Sequence, residues 1–177
     1  MGVVSYYKIV STSFNHIASK APIYFLIFLM CIVTVCAVDI SSCQEISSPG
    51  NYILTQDIIN SATSSCLEIT SVDVTIDCQG YKVDGNDAAD YGVFVSNLGS
   101  DANFTLRNCS LSDWDGQAVY ITSSNNITLE NLSLISNPDH GIYLNNVDYV
   151  NLMNILVSTN GDDGLILSFE TILLKVL

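Results

Sequence analysis

Five short stretches of alternating apolar and polar residues align without gaps: CLEIT (66–70), GVFVS (92–96), AVYIT (118–122), GIYLN (141–145) and GLILS (164–168). Their starts lie 26, 26, 23 and 23 residues apart. A period of two predicts strands, and the longer recurrence predicts the same strand in each of several repeated units. A second strand follows in the middle units: VTI (74–76), FTL (104–106), ITL (127–129) and VNL (150–152). A third is centred on Val83, Leu111, Leu134 and Val157. The turns between them are rich in Asn, Ser, Asp and Gly, as tight turns require.

Three short strands per 23 residues describe a parallel β-helix, whose coils stack to bury an apolar side that no single coil can bury. Leu67, Val93, Val119, Ile142 and Leu165 form one expected inward column. Val74, Phe104, Ile127 and Val150 form a second, with Ile76, Leu106, Leu129 and Leu152 beside it. The expected fold class is all-β, a solenoid of about five coils. Its expected organisation is a signal peptide or membrane anchor at 1–38, a cap and opening coil at 39–65, and repeats at 66–168. An irregular apolar tail at 169–177, FETILLKVL from Phe169, falls out of register. Such an end belongs to a truncated chain, to a tail that caps itself or a partner, or to end-to-end self-association.

The leader rests on residues 22–38, a run of 17 without a charge that Lys8 and Lys20 precede and acids follow. That arrangement sends the rest of the chain outward. Val35 and Ala37 suit cleavage after Ala37, and an uncleaved anchor in the membrane is the alternative. The expected location is extracellular or at the cell surface. Beyond residue 38 lie 3 basic and 18 acidic residues, a net charge of 3 − 18 = −15. Such a surface excludes nucleic acid as a partner. Cys43, Cys66, Cys78 and Cys109 lie in this exported part, where oxidation permits three pairings. Cys43 with Cys66 is the preferred pair, and Cys78 and Cys109 serve equally well as small buried hydrophobes.

The unit GIYLNNVDYVNLMNILVSTN, with SSPGNYILTQDI and VTIDCQGYKVDG before it, resembles the right-handed parallel β-helix repeats of the pectate-lyase-like superfamily. The resemblance covers residues 43–168 and implies a right-handed β-helix. It leaves function open, because that superfamily holds lyases, hydrolases, epimerases, adhesins and spacers. Some members serve copper-enzyme maturation, but Met153 and His140 alone make a poor copper site.

Several outward columns carry candidate chemistry. Asn108, Asn131 and Asn154 recur at one place and suit a hydrogen-bonded ladder between coils. If that column points inward, only Asn103 and Asn126 of the four N-x-S/T triplets remain glycosylation sites. Phe94, Tyr120 and Tyr143 should point outward together, either to contact carbohydrate or to pack on one another. Trp114 is either a sugar-stacking residue or a plug within its turn. Acids recur before the first strand at Asp90, Asp115, Asp139 and Asp162, where a cation such as Ca²⁺ can bridge Asp139 and Asp162.

The stretches SNPDHGIYL and TNGDDGLIL pose the sharpest question. By resemblance to the N-T-D and G-D-D elements of polygalacturonase-type hydrolases, Asp139, Asp162 and Asp163 would be a catalytic trio. Proline stands where that family has threonine, Gly164 where it has cysteine, and no later G-H-G or R-I-K element follows. The stretches therefore read as one turn copied twice. The expected function is an exported structural or carbohydrate-binding module, with a polysaccharide hydrolase or lyase as the alternative.

Overall fold

The computed structural model describes residues 36–59, 64–87 and 89–168 in full and the backbone of 174–176. The chain divides into two units, Met1–Cys36 and Ala37–Leu177, and the fold described here belongs to the second. The apolar leader expected at 1–38 lies almost wholly outside the described residues. No helix among the described residues is long and apolar enough to cross a membrane.

Fourteen strands are described, and the chain passes back and forth between two parallel sheets. One sheet holds β1 (Val38–Ile40), β3 (Gly50–Leu54), β5 (Val74–Asp77), β8 (Phe104–Ser112), β10 (Ile127–Ile135), β12 (Val150–Ser158) and β14 (Leu174–Val176), in that order. Its eighth strand, β6 (Lys82–Asp84), pairs with β8. The other sheet runs β13 (Leu165–Ser168), β11 (Ile142–Asn145), β9 (Val119–Ser124), β7 (Tyr91–Gly99), β4 (Ser65–Ile69) and β2 (Gln44–Ile46). This is an all-β parallel solenoid of about five turns.

Register explains the spacing. Ile142 lies opposite both Val119 and Leu165, 23 residues away in each direction. The expected columns are buried: Leu67, Val93, Val119 and Ile142 are all 0 % exposed, and Phe104, Ile127, Leu106 and Leu129 match them. Leu165 is 38 % exposed, because it lies on the last strand of its sheet. Among the described residues stacking begins at Val38, with β1 on β3 and β2 on β4. At the other end, Leu174–Val176 pairs with Val150–Leu152, so part of the expected irregular tail extends the sheet.

The second and third strands predicted for each coil are separate in the first, as β5 and β6, but one element in each of the three coils that follow. β8, β10 and β12 are nine residues long, bent at Asn108, Asn131 and Asn154 with φ of 56°, 53° and 52°. Left-handed corners recur in columns: Asn103, Asn126 and Tyr149; Asp113, Ser136 and Thr159; Asn97, Ser123 and Asn146. Asparagine, aspartate and serine tolerate this backbone conformation; a bulky side chain there costs about 1–2 kcal/mol. Tyr149, an aromatic, and Thr159, which is β-branched, are the exceptions.

Asn154 donates through Nδ2 to Asn131 Oδ1 at 3.0 Å, and Asn131 donates to Asn108 Oδ1 at 3.0 Å. Asn108 in turn donates to Asp77 Oδ1 at 2.9 Å, so every amide points the same way and the row ends on a carboxylate. Asn131 and Asn154 are exposed and Asn108 is half-buried, so this column edges the surface and does not point inward. Burial disfavours the charge on Asp77, but hydrogen bonds from Asn108 and the Gln79 amide, with the Arg107 guanidinium, outweigh it. The Asp77 carboxyl therefore ionises below its ordinary range.

Cys43 is bonded to Cys66 and Cys78 to Cys109, two disulfides among the described residues. They close separations of 23 and 31 residues and stabilise the fold by about 3–4 kcal/mol each, mainly by restricting the unfolded chain. Trp114 is 0 % exposed and donates from Nε1 to the Val83 carbonyl, filling the space beneath Gly85 and Gly92. It plugs its turn.

Two outcomes follow from the ladder. Asn131→Ala breaks both neighbouring bonds and should cost about 1–3 kcal/mol in urea unfolding. Asn131→Gly, which relieves the left-handed corner, should recover part of that loss. The second concerns acid. A depressed native pKa gives stability that is complete above the ordinary carboxyl value, 3.8, and is lost as pH falls through the native value. Asp77→Asn keeps the acceptor and removes the titration, so its stability should fall less steeply below that value than the parent's.

Candidate functional site

The acidic turns lie where the chain leaves the first sheet and enters β11 and β13. The two quoted stretches stack on one another and are joined by hydrogen bonds. Asn137 is 1 % exposed, and both its backbone N–H and its Nδ2 donate to Asn160 Oδ1 at 3.0 Å. Asn137 Oδ1 accepts from the Trp114 N–H in the coil before. The Ser136 and Thr159 hydroxyls pair at 3.3 Å, and the Asp162 N–H donates to the Asp139 carbonyl at 3.2 Å. A Cβ on Gly141 would stand 2.7 Å from the Gly164 carbonyl, so this crossing needs glycine for close approach. The asparagine of each stretch, which the sequence reading passed over, anchors the turn. Its signal was the shared hydroxyl-Asn pair at 136–137 and 159–160.

Within this turn, ligand-type atoms of Asp139, His140 and Asp162 lie within 4.8 Å of one another. Asp163 adds its backbone N–H, which donates to His140 Nδ1 at 3.1 Å. With Nδ1 accepting, the neutral ring carries its proton on Nε2, which lies 3.2 Å from Asp139 Oδ1. The other Asp139 oxygen accepts from Gln117 Nε2. One oxygen of Asp139 is thus hydrogen-bonded and the other lies beside the imidazole, whereas Asp162 and Asp163 are exposed to water. An inverting glycosidase holds its carboxyls roughly 6.5–9.5 Å apart to admit water. Asp139 and Asp162, with ligand atoms within 4.8 Å, are closer than that gap, and Asp162 lacks the enclosure that makes charge stabilisation strong.

Beside the acids runs an aromatic strip on the outer face of the second sheet. Phe94 lies opposite Tyr120, and Tyr120 opposite Tyr143. The ring centroids of Tyr120 and Tyr143 are 5.3 Å apart with planes at 16°, and those of Phe94 and Tyr120 are 5.5 Å apart. Tyr91 joins them at 5.2 Å from both Phe94 and Tyr120, and His140 meets Tyr143 edge-on. The rings stack on one another along the solenoid, so their edges and hydroxyls face outward. Burial, then the charge of Asp90, then Tyr120 and Asp139, hold the Tyr91 phenol above its usual range, and it remains a donor. Asp90 accepts from the Ser64 hydroxyl at 2.7 Å, and Asp115 is exposed in the turn between them.

A family model described as "Periplasmic copper-binding protein (NosD)" matches residues 33–171. The chain belongs to the NosD family. No curated protein and no solved structure gives a significant match. The family's periplasmic description agrees with the exported, extracytoplasmic location expected for this chain. NosD membership and the stacked coils together support an exported module with a structural or binding role.

The copied turn predicts unequal roles for its acids. Asp139→Ala strips an acceptor from both Gln117 and His140 and should cost about 1–2 kcal/mol in thermal or urea unfolding. Asp162→Ala, at an exposed position, should stay within about 0.5 kcal/mol of the parent.

Proposed function

We propose that this NosD-family chain is an exported β-helix module that binds a neutral polysaccharide or glycan along its second sheet. The observation that carries this reading is the strip of Tyr91, Phe94, Tyr120 and Tyr143, with phenol groups repeating at the coil spacing. Asp90 and Asp139 lie near Tyr91, and their remaining lone pairs supply acceptors for sugar hydroxyls. Ring edges and hydroxyls in a line, about 4.8 Å from coil to coil, suit a polyhydroxylated chain lying along the axis. The charge of −15 beyond residue 38 repels uronic-acid polymers, so neutral chains are favoured unless a divalent cation bridges the two.

Copper enters through the family description, and the donors gathered at the acidic turn do not fit it. Copper favours imidazole, thiolate and thioether ligands. His140 Nδ1 accepts from the Asp163 N–H, its Nε2 lies 3.2 Å from Asp139, and Cys43, Cys66, Cys78 and Cys109 are oxidised. Asp139 and Asp162 are hard oxygen donors better suited to Ca²⁺, and Asp139 would first release Gln117 or His140.

The test is affinity electrophoresis or calorimetry of the folded exported chain against neutral and acidic polysaccharides, with and without Ca²⁺. A neutral chain should bind, and Tyr120→Ala should weaken binding about tenfold, the equivalent of 1.4 kcal/mol. Retention unaffected by Tyr120→Ala, or confined to acidic polymers without Ca²⁺, overturns this reading. Reducing ends released by the parent but not by Asp162→Asn would establish the hydrolase instead.

A further inference from the structure

On the opposite sheet, three adjacent coils line a shallow open hollow of about 310 Å³, bordered by Asn103, Thr105, Asn126, Thr128, Tyr149 and Asn151. Thr105, Thr128 and Asn151 are register partners across β8, β10 and β12. Asn103, Asn126 and Tyr149 stand two residues earlier, at the left-handed corner. The hollow therefore contains two complete N-x-T triplets, Asn103-Phe104-Thr105 and Asn126-Ile127-Thr128. Phe104 and Ile127 are fully buried, which leaves each asparagine and its threonine together on the outer face. The triplets at Asn108 and Asn131 lie outside this hollow, and their side chains form the ladder between coils.

Tyr149 breaks the rule of its column. It places an aromatic ring, 55 % exposed, at a left-handed corner where the two preceding coils have asparagine. A strained, exposed aromatic at the wall of a polar hollow points to a ligand with apolar faces and hydroxyl edges. From this placement we infer that Asn126 is an N-glycosylation site whose first sugar lies in the hollow against Tyr149, with Asn151 beside it. The inference stands independently of glycan binding on the other sheet.

The donor is a lipid-linked phosphoryl oligosaccharide, met as the chain is exported. A bond forms between Asn126 Nδ2 and the anomeric carbon while that carbon's bond to the phosphate oxygen breaks. The lipid phosphate leaves with the electron pair, and the amide gives one proton to the transferase's base. The remaining Nδ2 hydrogen can keep the bond to the Ser100 carbonyl, now 2.9 Å. Asn103 is the weaker acceptor, since its amide is held by the Asp73 carboxylate at 2.7 Å. Glycans on neighbouring coils, about 4.8 Å apart, would also collide.

The experiment is peptide mass spectrometry on the full chain exported from a cell that glycosylates N-x-S/T triplets, with a known acceptor protein co-expressed. The Asn126 peptide should carry a glycan in most molecules. Thr128→Ala should abolish it, and Thr128→Ser should retain it. A bare Asn126 peptide beside a modified acceptor overturns the inference, as does modification that survives Thr128→Ala. Tyr149→Ala should lower the melting temperature of the glycosylated chain more than that of the Thr128→Ala chain. Equal shifts would overturn the seating on Tyr149.

Discussion

From Asp73 to Thr159 the coils turn through left-handed corners, and the rest of the structure depends on how those corners are held. A left-handed backbone leaves N–H and C=O groups outside regular strand geometry, and a stacked coil supplies their partners. Asn126 N donates to the Asp148 carbonyl, and Asp113 N to the Ser136 carbonyl, each one coil further on. Asparagine serves twice at such a corner, tolerating the backbone and passing its amide to the next coil. The row from Asn154 to Asp77 aligns its amide dipoles toward a carboxylate, which Arg107 also holds at 2.9 Å. A coil added or removed therefore changes hydrogen bonding as well as burial.

The same constraint explains what was legible in the sequence. The inward columns could be read because a strand's side-chain period of two does not drift and the coil repeat is constant over 118–164. Bending was less visible. A corner inside a strand leaves the apolar alternation on both sides intact, so β8, β10 and β12 read as two strands each. Cys78 and Cys109 were left undecided because their separation of 31 residues matches no repeat spacing. Tyr91 was missed from the aromatic strip because it shares the parity of the inward Val93 and Val95. It lies at the start of β7, where the chain is still rounding the corner and parity does not yet apply.

The acidic turns show why residue type alone misleads. Two aspartates before a glycine attract a catalytic reading, yet the buried residue of the turn is Asn137. Copying the turn from one coil to the next copies its acids as well, and parallel stacking brings Asp139 and Asp162 together whether or not chemistry needs them. Proximity in a solenoid is thus weak evidence of a site. A departure from the repeat is stronger evidence, since the fold does not demand it. His140 is such a departure: it stands where the next coil has Asp163, whose amide it accepts.

By this criterion the two sheets differ. The strip at Phe94, Tyr120 and Tyr143 follows the repeat, and its rings stack on one another, so part of its energy belongs to the fold. Its claim to a ligand rests on the added Tyr91 and on the acids along its edge. Tyr149 gains no matching support from its column, whose other corners are asparagines suited to the backbone. The fold bears a local cost there that asparagine would avoid. A contact outside the solenoid itself is what can balance that cost, and the hollow beside Tyr149 is where such a contact would lie.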